Sequence, residues 1–280
     1  MKEREMYERI LLALDLEGMN NVVGEPYTGL SQGSDAWEVA RHQAVKEINA
    51  AAEVLFEMGA RKVGLWDNHG GGGNVDPSEL DSRIILIKHD NSLPRMNFAA
   101  GEYDCICFFG YHTMEGTLGG VLAHTMNSKM VQFYKLNGEY IGEVDMDAYI
   151  AASHGMPSCF YVGGDIACAQ ARHAVPDIVT VVTKHEISRN EAEYRDNGEL
   201  LSEIREKIAE AVTSEHKAKE CRFPAVWEKS FKRVEDAAVY YKKMRELGME
   251  SEYLSDPILG KDAHTVVTRL YSIEDLKKSI

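Results

Sequence analysis

At 280 residues the chain can bury one large or two smaller cores, and its 44% apolar and 27% charged residues are typical of a folded globular protein. The net charge of −14 argues against a broad phosphate-binding surface, so we expect no nucleic-acid partner. No apolar run could span a bilayer and no signal peptide is recognisable, so we expect no membrane association. Five cysteines without CxxC spacing favour a reducing cytoplasm.

The first predicted element is a short strand that ends in two acids. Residues 11–18 read LLALDLEG, an apolar run followed by Asp15, Glu17 and a glycine. In an extended backbone, residues two apart point to the same side, so both carboxylates would face one spot. We interpret this spot as a candidate metal site.

The next elements predict a βαβ unit. After an irregular loop over 19–33, apolar residues at helical spacing predict a helix over 35–58. A second apolar run, 62–66, then ends close to His69. The order strand, helix, strand favours a parallel sheet with helices on its faces.

Two more apolar runs extend this pattern. Residues 83–88 and 105–109 predict further strands, and the second leads directly to His112. In open α/β sheets the functional crevice lies at the carboxyl ends of the strands. The acids and histidines at these strand ends are therefore placed where they could converge, although no spacing rule proves it.

The centre of the chain combines a hairpin with more α/β alternation. Asn137-Gly138 predicts a tight turn in a hairpin over 130–141. A helix is predicted over 143–152, with Glu143 in its first turn, and strand, helix and strand follow over 158–183.

The composition becomes charge-rich from residue 187, which predicts a domain boundary. An amphipathic helix over 199–215 follows, and then a strand, a helix and a strand near 225–231, 234–247 and 265–270. We predict an α/β fold with a mostly parallel sheet flanked by helices in residues 1–190. Residues 191–280 would form a smaller α+β domain that assists assembly or covers the site.

The acids and histidines at the element ends form a set of oxygen and imidazole ligands: Asp15, Glu17, His69, His112, His124 and Glu143. This mixture suits zinc, manganese or cobalt better than calcium, which prefers oxygen alone. Taken singly, each histidine is more often an ordinary loop residue, and a glutamate in a first helical turn is favoured by the helix dipole. The metal prediction therefore depends on the whole set.

A serine-esterase interpretation competes with the metal site. Residues 29–33 match the GxSxG motif, and residues 69–72 match the oxyanion-hole sequence HGGG. The motif requires a strand directly before the serine, which residues 25–28 do not resemble. The oxyanion loop would also follow the nucleophile instead of preceding it, so we reject this interpretation.

Six short segments occur in one order along the chain: Asp15-Leu16-Glu17-Gly18, Asp67-Asn68-His69, Gly110-Tyr111-His112, Ala123-His124-Thr125-Met126, Gly142-Glu143 and Ile187-Ser188-Arg189. In this order they resemble the zinc-dependent D-aminopeptidases typified by the enzyme of the bacterial dipeptide-transport operon. The resemblance covers roughly residues 10–190 and is weak beyond them.

The resemblance implies a site for two zinc ions with five ligands: Asp15, Glu17, His69, His112 and Glu143. Asp15 would bridge both ions. His124 would be the catalytic residue, as a nucleophile or as a general acid/base. Separately from the resemblance, Asp67 lies two residues before His69 and could orient a ligand histidine. The family's ring-shaped homo-oligomers imply, by analogy, a decamer.

The resulting hypothesis is a metal-dependent aminopeptidase that hydrolyses the N-terminal peptide bond of short peptides, including peptides with D-amino acids. Two metal ions can polarise the scissile carbonyl, generate hydroxide and stabilise the oxyanion. The alternative is a non-catalytic, metal-containing oligomeric binding protein. A structural zinc needs only about four ligands and no open position, so five ligands plus His124 favour the enzyme.

Overall fold

The computed structural model describes residues 6–25, 29–88 and 93–280. In chain order its elements are β1 (Arg9–Leu14), α1 (Asp35–Glu57), β2 (Lys62–Asp67), β3 (Ile85–Ile87), β4 (Cys105–Phe109), β5 (Val131–Leu136), β6 (Glu139–Tyr140), α2 (Glu143–Ser153), β7 (Ser158–Gly163), α3 (Asp165–Ala174), β8 (Val179–Val182), β9 (Lys184–Ser188), β10 (Glu191–Tyr194), α4 (Asn197–Thr213), β11 (Ala225–Phe231), α5 (Val234–Glu246), β12 (Ser251–Asp256), β13 (Gly260–Leu270) and α6 (Ile273–Ser279). The predicted loop over 19–33 includes residues 26–28, which lie outside the described residues.

A six-stranded parallel sheet in the order β3-β2-β1-β4-β7-β8 forms the larger layer. Leu12 of β1 belongs to the core that α1 and α4 cover, while Leu11 belongs to the core that α2 and α3 cover. Since both faces of a parallel sheet are buried under helices, its central strands are continuous apolar runs. The CICFF sequence of β4 is such a run, and all five of its residues are buried.

The helix boundaries follow from capping residues. Ser34 precedes α1, and its side-chain oxygen accepts a hydrogen bond from the Trp37 N–H at 3.2 Å. After α1 the chain turns at Gly59, whose φ of +101° is a conformation that favours glycine. No helix among the described residues combines the length and apolar character needed to cross a membrane.

A second, antiparallel sheet in the order β12-β13-β11-β5-β6 packs against α5 and α6. The predicted hairpin is present as β5 and β6, and both turn residues, Asn137 and Gly138, have positive φ, as such two-residue turns require. The predicted fold class, a parallel sheet flanked by helices with a smaller α+β unit, is confirmed.

Each of the two sheets packs with residues from both parts of the chain. β5 pairs with β11, so a hairpin before residue 190 completes the second sheet. The helix α4 lies after residue 190, yet Leu200, Ile204 and Ile208 pack into the core of the parallel sheet. The division into residues 1–190 and 191–280 stays a prediction.

Candidate active site

The ligand-type residues lie at one edge of the parallel sheet. β2, β1 and β4 are neighbours, and Asp15, Glu17, His69 and His112 follow their carboxyl ends. Glu143 is the first residue of α2. All the predicted site residues except His112 line a single cavity of about 490 Å³, and His112 is buried against Asp15 and Glu143.

The two acids after β1 meet through a turn. β1 ends at Leu14, so the backbone at Asp15 and Glu17 is not extended. The prediction that strand geometry points both carboxylates to one side is therefore wrong. Instead the Leu16 N–H lies 2.9 Å from Asp15 Oδ1 and 3.3 Å from Glu17 Oε2. One backbone donor thus draws the two carboxylates together.

Close backbone contact fixes this turn against the end of β4. The Gly18 N–H donates to the Gly110 carbonyl at 2.7 Å, and a Cβ placed on Gly18 would lie 2.2 Å from the Tyr111 carbonyl oxygen. Only glycine permits this approach. The turn that carries Asp15 and Glu17 is therefore held next to the segment that carries His112.

The Asp15 carboxylate lies between two histidines. Its Oδ1 is 2.9 Å from His69 Nδ1, which is also 3.1 Å from Glu17 Oε2. Its Oδ2 is 3.5 Å from His112 Nε2, which is in turn 3.3 Å from Glu143 Oε1. Asp15 therefore faces a different imidazole with each oxygen.

The orientation of His112 shows that the site suits a cation. Its Nδ1 is 2.9 Å from the Thr113 carbonyl oxygen, which can only accept, so Nδ1 carries the proton. In the neutral ring Nε2 then presents a lone pair to two carboxylates, and this buried atom has no hydrogen-bond partner among the described residues. Such an arrangement is repulsive unless a proton or a metal ion lies between the groups. The donor set therefore fits a divalent metal.

Within the part of the chain that the structure describes, three groups of side chains could each hold an ion. In each group the ligand atoms lie within 4.8 Å of one another, and the groups are Asp15, Glu17 and His69; Asp15, His112 and Glu143; and Glu17, His112 and His124. The first two groups contain all five predicted ligands and share Asp15. The structure thus brings together every site residue that the sequence indicated.

The pKa values show how strongly the cluster attracts positive charge. Burial and the neighbouring Glu17 raise the pKa of Asp15 to about 7. Burial lowers the pKa of His69, but the Glu17 and Asp15 carboxylates outweigh this and raise it to about 12. Burial would raise the pKa of Glu143, but His112 outweighs it and lowers the pKa to about 2. Protons on the imidazoles therefore compensate the buried carboxylates when no metal ion does so.

His124 lies in a different electrostatic environment. Its ring stacks on that of His112, with centroids 3.9 Å apart, and its Nδ1 is 2.8 Å from the Leu122 carbonyl oxygen. Burial and the adjacent His112 lower the pKa of His124. Since Nδ1 must donate to the carbonyl, Nε2 is left unprotonated in the neutral ring and available as a base.

Asp67 acts on the backbone of its loop. Its oxygens accept from the Asn74 N–H and side-chain amide at 2.6 and 2.8 Å. The same amide donates to the His69 carbonyl at 2.8 Å. Asp67 therefore contacts the backbone of His69 through Asn74.

Lys184 is a structural residue of the site that the sequence did not reveal. Its side chain is fully buried, and Nζ donates to the carbonyls of Glu17 at 2.5 Å, Met19 at 3.0 Å and Val22. Lys184 therefore fixes the loop that begins with the two acids. No local pattern could identify Lys184, because the carbonyls that it contacts belong to residues more than 160 positions earlier in the chain.

Replacing Lys184 with Met should destabilise the protein by about 3 kcal/mol or more. The substitution leaves three buried carbonyls without this donor, and a buried unsatisfied group costs roughly 1–3 kcal/mol. Urea unfolding measures the effect, with Lys46→Met on the exposed face of α1 as the matched control. Equal stability of the two variants would show that the contacts do not hold the loop.

Comparison with known proteins places the chain in a family. The sequence model of the Peptidase M55 family, described as D-aminopeptidase, matches residues 8–246. A D-aminopeptidase of Bacillus subtilis (strain 168) is 25% identical over 214 residues, which cover 75% of this chain and 76% of that protein.

A solved structure has a similar fold. It is described as Zn-dependent D-aminopeptidase DppA from Bacillus subtilis, a self-compartmentalizing protease, with a TM-score of 0.83 and 21% identity over 97% of this chain and 94% of that chain. The predicted resemblance and the prediction of a metallopeptidase-type hydrolase are confirmed. Since the family match covers the whole parallel sheet and the strand-end cluster, the chain belongs to the Peptidase M55 family of D-aminopeptidases.

Proposed function

We propose that the chain is a metal-dependent aminopeptidase that releases the N-terminal residue of short peptides, including peptides with D-amino acids. The observation that carries this proposal is the Asp15 carboxylate, which lies beside His69 with one oxygen and beside His112 with the other. A single carboxylate shared by two ligand groups is the arrangement that a two-metal site requires.

The proposed ligands divide into two sets around Asp15. Glu17 and His69 would complete the first set, and His112 and Glu143 the second. Zinc is the proposed ion because it accepts both carboxylate and imidazole ligands, and because the similar solved structure is described as Zn-dependent. When bound, the ions supply Lewis acidity that polarises the scissile carbonyl and stabilises the charge developing on its oxygen.

The side chains of the site would bind the substrate and move its protons. The substrate's N-terminal end would enter the same cavity, since three of the proposed ligands line it: Asp15, Glu17 and Glu143. His124 has an unprotonated Nε2 near neutral pH, as a nucleophile or a general base requires. Once protonated, the same nitrogen could donate to the leaving amine.

The proposed assembly is a homo-oligomer, with a decamer as its specific form. The similar solved structure, described as a self-compartmentalizing protease, supports assembly, and its fold extends over nearly the whole of this chain. We further propose a cytoplasmic location, in keeping with the five cysteines, none of which forms a disulfide.

Turnover of small D-peptides tests the proposed function. Protein loaded with zinc, manganese or cobalt should release D-alanine from D-Ala-D-Ala and from D-alanine amide, as measured by a D-amino acid oxidase assay. Removing the metal with a chelator should abolish the release, and adding it back should restore it. Metal-replete protein that hydrolyses no small peptide or amide would contradict the proposal.

A further inference from the structure

Arg95 presents a fixed guanidinium at the edge of the acidic cavity. Its Nε and Nη2 lie 2.5 and 2.8 Å from the two oxygens of Asp147, whose side chain is fully buried. The Tyr111 hydroxyl also donates to Asp147, at 2.8 Å, and the guanidinium lies over the Trp66 ring, 4.9 Å from its centroid. These contacts fix the orientation of Arg95 before any ligand arrives.

The outer edge of this guanidinium remains available. Nη1 donates to no other residue in the described part of the chain, and the Arg95 side chain is 14% exposed. Arg95 lines the acidic cavity together with Asp15, Glu17 and Glu143. A planar guanidinium held by a carboxylate on one edge can still bind a second carboxylate on the other.

Arg95 also lines a second cavity of about 440 Å³, and Met126 is the other residue common to both. The lining of the second cavity is largely apolar: Trp66, Leu93, Pro94, Met96, Phe98 and Met126. Its charged side chains are those of Arg95, Lys88 and Lys277, with no acidic side chain among the described lining residues. An acidic cavity thus adjoins a basic, apolar one, and Arg95 lies at their junction.

The helix α2 carries both a proposed metal ligand and the residue that holds Arg95. Glu143, a proposed metal ligand, and Asp147, which holds Arg95, are one helical turn apart, a rise of about 6 Å. Two residues of extended peptide span at most about 7 Å. The backbone positions that carry the proposed ligand Glu143 and Asp147, the partner of Arg95, are therefore separated by about the length of a dipeptide.

We propose that Arg95 recognises the free C-terminal carboxylate of dipeptide substrates, and that the side chain of their second residue lies in the second cavity. This inference rests on the proposed aminopeptidase function and narrows its substrates to dipeptides with a free carboxylate. In this arrangement the N-terminal end of the dipeptide would lie at the proposed metal-ligand cluster and its carboxylate at Arg95.

Other cations near the cavity are less suited to this role. Lys129 and Arg189 also line it, but both are exposed. Arg189 donates to the Ala123 carbonyl at 2.6 Å and so supports the His124 loop. Among the described cations of this cavity, Arg95 alone is held by a fully buried carboxylate.

The test compares D-Ala-D-Ala with D-Ala-D-Ala amide, which lacks the terminal charge. Zinc-loaded wild-type protein should favour the free acid by about 10- to 100-fold in kcat/KM, as expected for charge-assisted hydrogen bonds. In Arg95→Gln this preference should fall to about threefold or less, and Arg95→Lys should restore part of it. Lys129→Gln, the matched control, should retain the wild-type preference.

A second variant and a binding measurement separate recognition from folding. Arg95→Gln leaves Asp147 buried without its partner, so Arg95→Gln combined with Asp147→Asn provides a neutral version of the pair. Calorimetry with a reduced-amide analogue of D-Ala-D-Ala, as acid and as carboxamide, measures binding without turnover. The acid should bind the wild type about 10- to 100-fold more tightly, and both variants should lose this difference.

Each contradictory result has a distinct meaning. Wild-type protein that hydrolyses and binds acid and amide equally well overturns the Arg95 proposal and leaves the aminopeptidase proposal intact. A preference retained in both Arg95 variants also overturns it. If the wild type hydrolyses neither compound, the aminopeptidase proposal fails, and the calorimetric comparison still decides whether Arg95 binds the carboxylate.

Discussion

Replacing Asp15 with Asn is expected to remove both metal ions and to lower kcat/KM by at least about 10³-fold. The carboxylate faces His69 with one oxygen and His112 with the other, so the substitution weakens both ligand sets at once. The amide retains the shape of the side chain but loses its charge and one acceptor oxygen. Metal content by mass spectrometry and kinetics on D-Ala-D-Ala measure the two effects.

Two comparison variants make this prediction specific. Glu17→Gln should cost mainly one ion, because Glu17 is not part of the set formed by Asp15, His112 and Glu143. Asp256→Asn, before the turn between β12 and β13, removes an equal charge from the other sheet and should retain both ions. An Asp15→Asn protein that still binds two ions per chain would exclude a bridging role.

Replacing His124 with Ala should lower kcat by about 10²- to 10⁴-fold while leaving the metal content unchanged. The Nδ1–H of His124 donates to Leu122, and its unprotonated Nε2 is the atom proposed to move the proton. Neither ligand set that contains Asp15 includes His124, so the proposed ions should stay bound. Kinetics and metal analysis on the same preparation provide both readouts.

The structure also defines how this prediction could fail. His124 belongs to a third group with Glu17 and His112, so loss of an ion from His124→Ala would make it a ligand instead of a proton carrier. His42→Ala, on the exposed face of α1, is the control for removal of a histidine, and it should match the wild type in both measurements.

Much of the fold could be predicted because the local sequence patterns favour the same helices and strands that the folded chain contains. The apolar run 105–109 is a strand at its predicted bounds, and Ser34 and Gly59 mark the ends of α1. The hairpin β9 and β10 was missed because its sequences, KHEIS and EAEY, are mostly polar and half exposed. The pairing of β5 with β11 was missed too, since nothing local links segments so distant in sequence.

The site residues also fall into those that the sequence could predict and those that it could not. The strand-end rule was enough to group Asp15, His69 and His112, because the neighbouring parallel strands β2, β1 and β4 bring their ends to one edge. No sequence pattern identified Arg95 or Lys184 as residues of the site. Arg95 depends on Asp147, 52 residues later, and Lys184 on carbonyls more than 160 residues earlier. Such contacts exist only in the folded chain.

Anomalous diffraction at the zinc edge from crystals of the zinc-loaded protein tests the two-metal site most directly. We predict two peaks per chain that share Asp15, one also contacted by Glu17 and His69 and the other by His112 and Glu143. A single peak enclosed by protein ligands, or peaks that leave Asp15 uncoordinated, would contradict the proposed centre.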